Sequence, residues 1–147
     1  MVQVKKTIRW SGLVLLGLLL LLAGFAVLRR RHILAARGLC FHQEDSKEAT
    51  ARIYGFCAIL LKELGFNRGN GSMLGLCKPI TETMGESYGE DFRRMTELNA
   101  RSIFSSHPVE DDQRAEMLAF YEITLQHLKQ RTKWPKRLWQ QWIRCLY

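Results

Sequence analysis

The hydrophobic positions fall into one unbroken run followed by several interrupted stripes. Trp10 to Leu28 is a run of 19 residues without a charge, nine of them leucine. As a helix it spans about 28 Å, close to the hydrocarbon thickness of a bilayer. Trp10 at one edge and Arg29-Arg30-Arg31 at the other are membrane-flanking residues. An indole is favoured among headgroups, and arginines close a hydrocarbon stretch. The pattern predicts a transmembrane helix over 10–28, a basic flank over 1–9 and a basic juxtamembrane linker over 29–45. A cleaved secretory signal is the rival reading. The apolar stretch is too long for it, Gly24-Phe25-Ala26 is a poor cleavage site, and the arginines that follow would hinder export. Leu22-Ala23-Gly24 matches the start of a lipoprotein box, but Phe25 stands where the lipidated cysteine must be.

Downstream the period is helical throughout, with no alternating strand. The membrane helix is expected to run on to Ala36 and stop at Gly38. A second helix starts at Ser46 as N-cap and carries Ile53, Phe56/Cys57, Leu60/Leu61 and Leu64, with Gly65 as its stop. Asn67 to Ser72 reads as a turn-rich loop. Pro79 suits a first helical position, and Ile80, Met84 and Tyr88 give a short stripe weakened by Gly85 and Gly89. Phe92, Met95, Leu98 and Ile103 form a further stripe. After Pro108, the carboxylates Glu110-Asp111-Asp112 mark the start of a helix whose seam is Leu118, Tyr121, Leu125 and Leu128. Pro135 predicts a break near Lys133 or Trp134. The fold class is all-α: one N-terminal transmembrane helix followed by a small helical domain of about four to five helices. The domain covers 46–132, and a basic, Trp-rich amphipathic tail covers 133–147.

Composition adds little until charge is divided along the chain. Overall the 147 residues carry +8, with 47% hydrophobic and 24% charged residues, ordinary for a folded protein. Residues 1–37 hold seven basic side chains and no acid; 38–128 hold nine basic and all fourteen acidic; 129–147 hold six basic and no acid. An acidic body therefore lies between basic ends, and an anionic bilayer surface is the simplest partner for those ends. The two flanks of the span are nearly balanced in charge. The basic tail and four scattered cysteines without a CxxC pair favour a cell-membrane protein with its N-terminus outside and its helical body in the cytoplasm.

No assembled reaction chemistry stands out. His107, Glu110, Asp111 and Asp112 could suggest metal ligands, but acids behind a proline at a helix start serve the helix itself. Cys57 with His107 or His127 could suggest a thiol hydrolase triad. Cys57 lies mid-helix in an apolar stripe, where a buried core thiol is expected instead. The glycines of Asn67–Gly75 lack the lysine and hydroxyl ending of a phosphate loop. The expectation is no catalytic residue, no metal, no cofactor and no small-molecule substrate.

The tail is the least ordinary feature. Trp134, Trp139 and Trp142 are interleaved with Lys136, Arg137 and Arg144. One reading is an interfacial helix on anionic lipid. Another is a last core helix with Leu138, Trp139, Trp142 and Leu146 packed on the body and Gln140, Gln141 and Arg144 outside. The small body favours packing. No helix-turn-helix, zinc-finger or RNA-recognition signature is present, so nucleic acid is not an expected partner.

Several motifs resemble the small helical domain that follows the last membrane helix of bacterial transglutaminase-like membrane proteins. They are Arg29-Arg30-Arg31, then Tyr54 to Leu60 with Leu61, Leu64 and Gly65, then Pro79 and Glu82, then Phe92-Arg93-Arg94-Met95-Thr96-Glu97-Leu98-Asn99-Ala100-Arg101. Lys78 stands where that family usually has threonine, and Ile103-Phe104 replaces its arginine-tyrosine pair. The resemblance implies a non-enzymatic appendage whose partners include a transglutaminase-like membrane protein and a MoxR-type ATPase. The expected function is thus a single-pass, membrane-anchored interaction module or subunit. Its alternatives are a thiol-dependent hydrolase using Cys57, or a membrane-surface binding module acting through the tail.

Overall fold

The computed structural model describes residues 2–42, 45–69, 71–105 and 107–147, with side chains described from Gly12 onward. The side chain of Trp10 therefore lies outside the described residues, as does Asn70 of the turn-rich loop. Six α-helices and one 3-10 turn follow in order: α1 Val2–Phe41, α2 Ser46–Glu63, the 3-10 turn Met73–Leu76, α3 Cys77–Met84, α4 Glu86–Phe104, α5 Asp111–Arg131 and α6 Trp134–Trp142. No strand occurs among the described residues.

α1 is the one helix, among the described residues, that is long and apolar enough to cross a membrane, with a mean hydropathy of 2.4 over its most apolar stretch. Its leucines from Leu13 to Leu22 are 54–73% exposed, so the body covers none of them. The segment 29–45, expected as a linker, is helical as far as Phe41, and Gly38 lies inside the helix instead of ending it. Tertiary packing overrides the glycine stop. Phe41 is buried, edge-on to Phe56 at 5.5 Å and to Tyr121 at 5.2 Å. Such aromatic pairs contribute more than their buried area alone.

From Phe41 the chain doubles back. Asp45, not Ser46, caps α2, accepting from Lys47 N at 2.9 Å and Glu48 N at 3.3 Å. Arg52 lies 3.6 Å from Cys40, and the Arg37 guanidinium sits 4.6 Å over the Phe56 ring, so α2 runs antiparallel to α1. α2 ends as expected at Gly65, whose φ is +103°. Gly65 N donates to Lys62 O at 3.1 Å and Phe66 N to Leu61 O at 2.9 Å, the paired bonds of a Schellman cap.

The expected stripe of Ile80, Met84 and Tyr88 is split between two helices. Gly85 (φ +104°) separates α3 from α4, and Tyr88 belongs to α4. Gly89 then lets α4 approach α3 closely, because a Cβ there would lie 2.9 Å from the Thr81 Cβ. Two buried hydroxyl pairs tie the body together. Tyr54 Oη lies 2.8 Å from Thr96 Oγ1, and Tyr88 Oη lies 2.6 Å from Thr124 Oγ1. Each threonine donates to the carbonyl four residues earlier, so each tyrosine supplies the proton of its pair.

α5 is turned relative to the expected seam. Met117, Phe120, Tyr121, Thr124 and Leu128 are buried, whereas Leu118 and Leu125 are only half-buried. α5 packs against both α2 and α4, and the buried arc centres between those neighbours. Ile103, expected in the core, is 59% exposed; Ser102 faces inward in its place.

The break at Pro135 occurs as expected. α5 ends at Arg131, and α6 opens at Trp134 with Pro135 in its first turn. α6 lies across the ends of α2 and α5 nearest the span: Arg137 reaches Lys129 O, and Gln140 reaches Glu63. The opposite end of the body holds the start of α2 and the end of α4, joined by Lys47 Nζ donating to Ser105 O at 2.6 Å.

Candidate functional site

The side chains that meet between α1, the end of α2 and the tail form a polar cluster beside the apolar run of α1. Residues 143–147 leave α6 in a tight reversal. Arg144 N donates to Trp139 O, Leu146 N donates to Gln140 O, and Cys145 sits at φ +48°. This turn exposes carbonyls to α1, where two arginines take them. Arg37 donates to Leu146 O and Cys145 O, both at 2.9 Å. Arg30 donates to Tyr147 O through Nε at 3.4 Å and Nη2 at 3.2 Å, with its guanidinium 5.3 Å over the Trp142 ring. Tyr147 completes the fold-back, donating to Arg137 O at 3.2 Å with the Lys129 ammonium 5.1 Å from its ring. A planar five-donor guanidinium suits this double task of carbonyl binding and ring stacking; lysine does not.

The second half of the cluster centres on Glu63, whose side chain is only 14% exposed. Gln140 Nε2 donates to its Oε2 at 2.9 Å, Arg144 pairs with its Oε1, and Lys136 Nζ lies 3.9 Å away. Glu63 is the last residue of α2, where the helix dipole disfavours an acid. An acid against the dipole needs cations, and that was the one signal in the sequence that could have singled it out. Beside it a cleft of about 330 Å³ is lined by Glu63, Leu64, Leu128, Arg131, Thr132, Lys133 and Lys136.

The tail residues thus come together in an arrangement different from the expected one. Gln140, expected on the outer face, is fully buried; Trp139, expected inside, is 58% exposed. Leu146 is buried but lies beyond the helix, in the reversal. Trp142 is half-buried against Arg30, and Trp134 is 73% exposed. The reason is the Glu63 carboxylate, which draws Gln140 inward and pairs with Arg144 at the surface. Lys136, Arg137 and Arg144 are exposed around it. Of the flanking arginines, Arg29 and Arg31 are exposed, while Arg30 is half-buried in the clamp. Arg37, Glu63 and Gln140 were not recognised as site residues from sequence.

The remaining candidate chemistry is dispersed. Cys57 is fully buried, and desolvation pushes its thiol up to about 12, away from the reactive thiolate. His127 packs edge-on to Tyr88 at 5.3 Å, and His107 is exposed in the loop before α5. The acids of that loop serve α5: Glu110 N donates to Gln113 Oε1, Asp112 accepts from Gln113 N, and Asp111 pairs with Arg114. The described cysteines Cys40, Cys57, Cys77 and Cys145 are all free thiols. Compared with protein-family models, with curated proteins and with solved structures, the chain matches none.

Proposed function

We propose that this protein is a single-pass, membrane-anchored helical module that acts without catalysis of its own, by presenting its body to another protein. The observation that carries the reading is the end of α4. Phe104 is 87% exposed and Ile103 59%, at the end of the body farthest from the span. A nearly bare phenylalanine beside an exposed isoleucine is what a partner's apolar core residues cover. A cleft lined by Leu98, Arg101, Ser102, His107, Val109 and Gln113 adjoins them. The continuous α1 and its two-arginine clamp support the reading too, since they hold this end at a set distance from the bilayer. From Arg30 to Phe41, where α1 packs on the body, the helix rises about 16 Å.

The non-catalytic character rests on the buried, high-pKa Cys57 thiol and the dispersed histidines. A cytoplasmic body is supported by the four free cysteines and by the six cations of 129–147 that would otherwise have to be translocated. The transglutaminase-like membrane protein and the MoxR-type ATPase implied by the resemblance are the partners to try first.

A photo-crosslinking residue at Phe104, in the full chain in native membranes, tests the proposal. A discrete heavier adduct with a second protein is expected. Adducts only within the chain would refute it. A membrane-impermeant maleimide tests the orientation: strong labelling of Cys40 in intact cells reverses it.

A further inference from the structure

α6 is an amphipathic helix packed inside out. Its buried position is an amide, Gln140, while Trp134, Leu138, Trp139 and Ile143 at its end are exposed. At 100° per residue these four fall within half a turn of one another, an arc that also holds half-buried Trp142 and whose centre lies about 150° from Gln140. An isolated body in water gains nothing from this orientation, because the area that would normally drive docking is left wet. Three placements explain it. The buried side of α6 faces the ends of α2 and α5 through Glu63 and Lys129. Its Trp142 touches Arg30, the second residue past the apolar run of α1. The outward face of α6 therefore looks away from the body at the height where the span leaves the hydrocarbon. Lys133, Lys136 and Arg137 flank that face on the Gln140 side, all three exposed, and 129–147 contains no acid.

We infer that α6 is an interfacial helix seated on anionic phospholipid. Trp134, Leu138, Trp139 and Ile143 lie at the headgroup–acyl boundary, and Lys133, Lys136 and Arg137 meet the phosphates. The inference commits to lipid on two grounds: continuity of the apolar face with the span, and a single sign of charge at its rim. It rests on α1 spanning a bilayer, and it adds a second membrane contact that orients the body.

The full chain reconstituted in vesicles with lipids brominated near the top of the acyl chains tests this. The wild type is compared with Trp134→Phe/Trp139→Phe, whose positions are exposed and leave the Arg30–Trp142 contact intact. The difference emission belongs to the two outward indoles. It should be quenched to about half or less, as for rings at the acyl boundary. In vesicles containing phosphatidylglycerol, the quenching should exceed that in phosphatidylcholine alone and relax as salt rises. Carbonate extraction of the same vesicles reports the span separately. Resistance to extraction with unquenched difference emission overturns the α6 inference alone. Release by carbonate overturns the span and this inference with it. Unquenched emission together with α6-to-α6 cross-links between copies would assign the face to a second copy and also overturn it.

Discussion

Glu63→Ala is the perturbation that most directly probes how the tail is held. It removes the acceptor of the Gln140 amide and the partner of Arg144 and Lys136 at once. A hydrogen bond to a charged group contributes about 1.5–3 kcal/mol, and a buried amide left without a partner costs about 1–3 kcal/mol. Among the described residues the Gln140 Oε1 is buried without a partner, so the bond to Glu63 is the one its side chain makes there. The Arg144 side chain is 48% exposed, so its ion pair adds under about 1 kcal/mol. These terms overlap, and the net cost to docking of α6 is set at about 2–4 kcal/mol. That corresponds to an open population of α6 larger by about thirtyfold to a thousandfold. Hydrogen exchange on the full chain reads it directly: amides of 134–142 should lose protection by that factor, while the α2–α5 core changes less. Glu63→Leu/Gln140→Leu replaces both partners by apolar groups and should recover most of the loss. Unchanged exchange over 134–142 in Glu63→Ala would refute the claim that this carboxylate orients α6.

Three further outcomes are expected. Tyr88→Phe removes the proton donated to buried Thr124 and should lower stability by about 1–2 kcal/mol in thermal or denaturant unfolding, with Tyr54→Phe behaving alike at Thr96. Gly89→Ala forces α3 and α4 apart, since the new Cβ would lie 3.1 Å from the Thr81 Cα; a loss of about 1–3 kcal/mol is expected, and an unchanged melting midpoint would contradict the close approach. Alkaline pH should destabilise the body. Burial raises Cys57 from its usual 9.0 to about 12, so its stabilising contribution is complete below pH 9 and is lost as pH rises towards 12. Buried Tyr54 and Tyr88 are raised by the same cause. The melting midpoint should fall with pH above 9, and more shallowly in Cys57→Ala, although that variant melts lower at every pH.

The span, the all-α class and most helix limits were legible in the sequence because they depend on local rules. An uncharged run of 19 residues has few structures open to it, Gly65 closes α2 through a left-handed cap, and Pro135 cannot continue a helix. Periodicity also named most of the core, since residues sharing a helical face are set by the 3.6-residue turn. Periodicity does not say what a face meets. That is why α1 runs past Gly38 once Phe41 finds Phe56 and Tyr121, and why α5 turns to bury Thr124 between two neighbours in place of Leu125. The tail shows the limit most clearly. Its apolar arc was legible, but the direction it faces was decided by one carboxylate seventy-seven positions away in sequence, which draws Gln140 inward and turns the tryptophans out. Local chemistry determined which helices form; long-range polar contacts, which no short window of sequence contains, decided which side of them is wet.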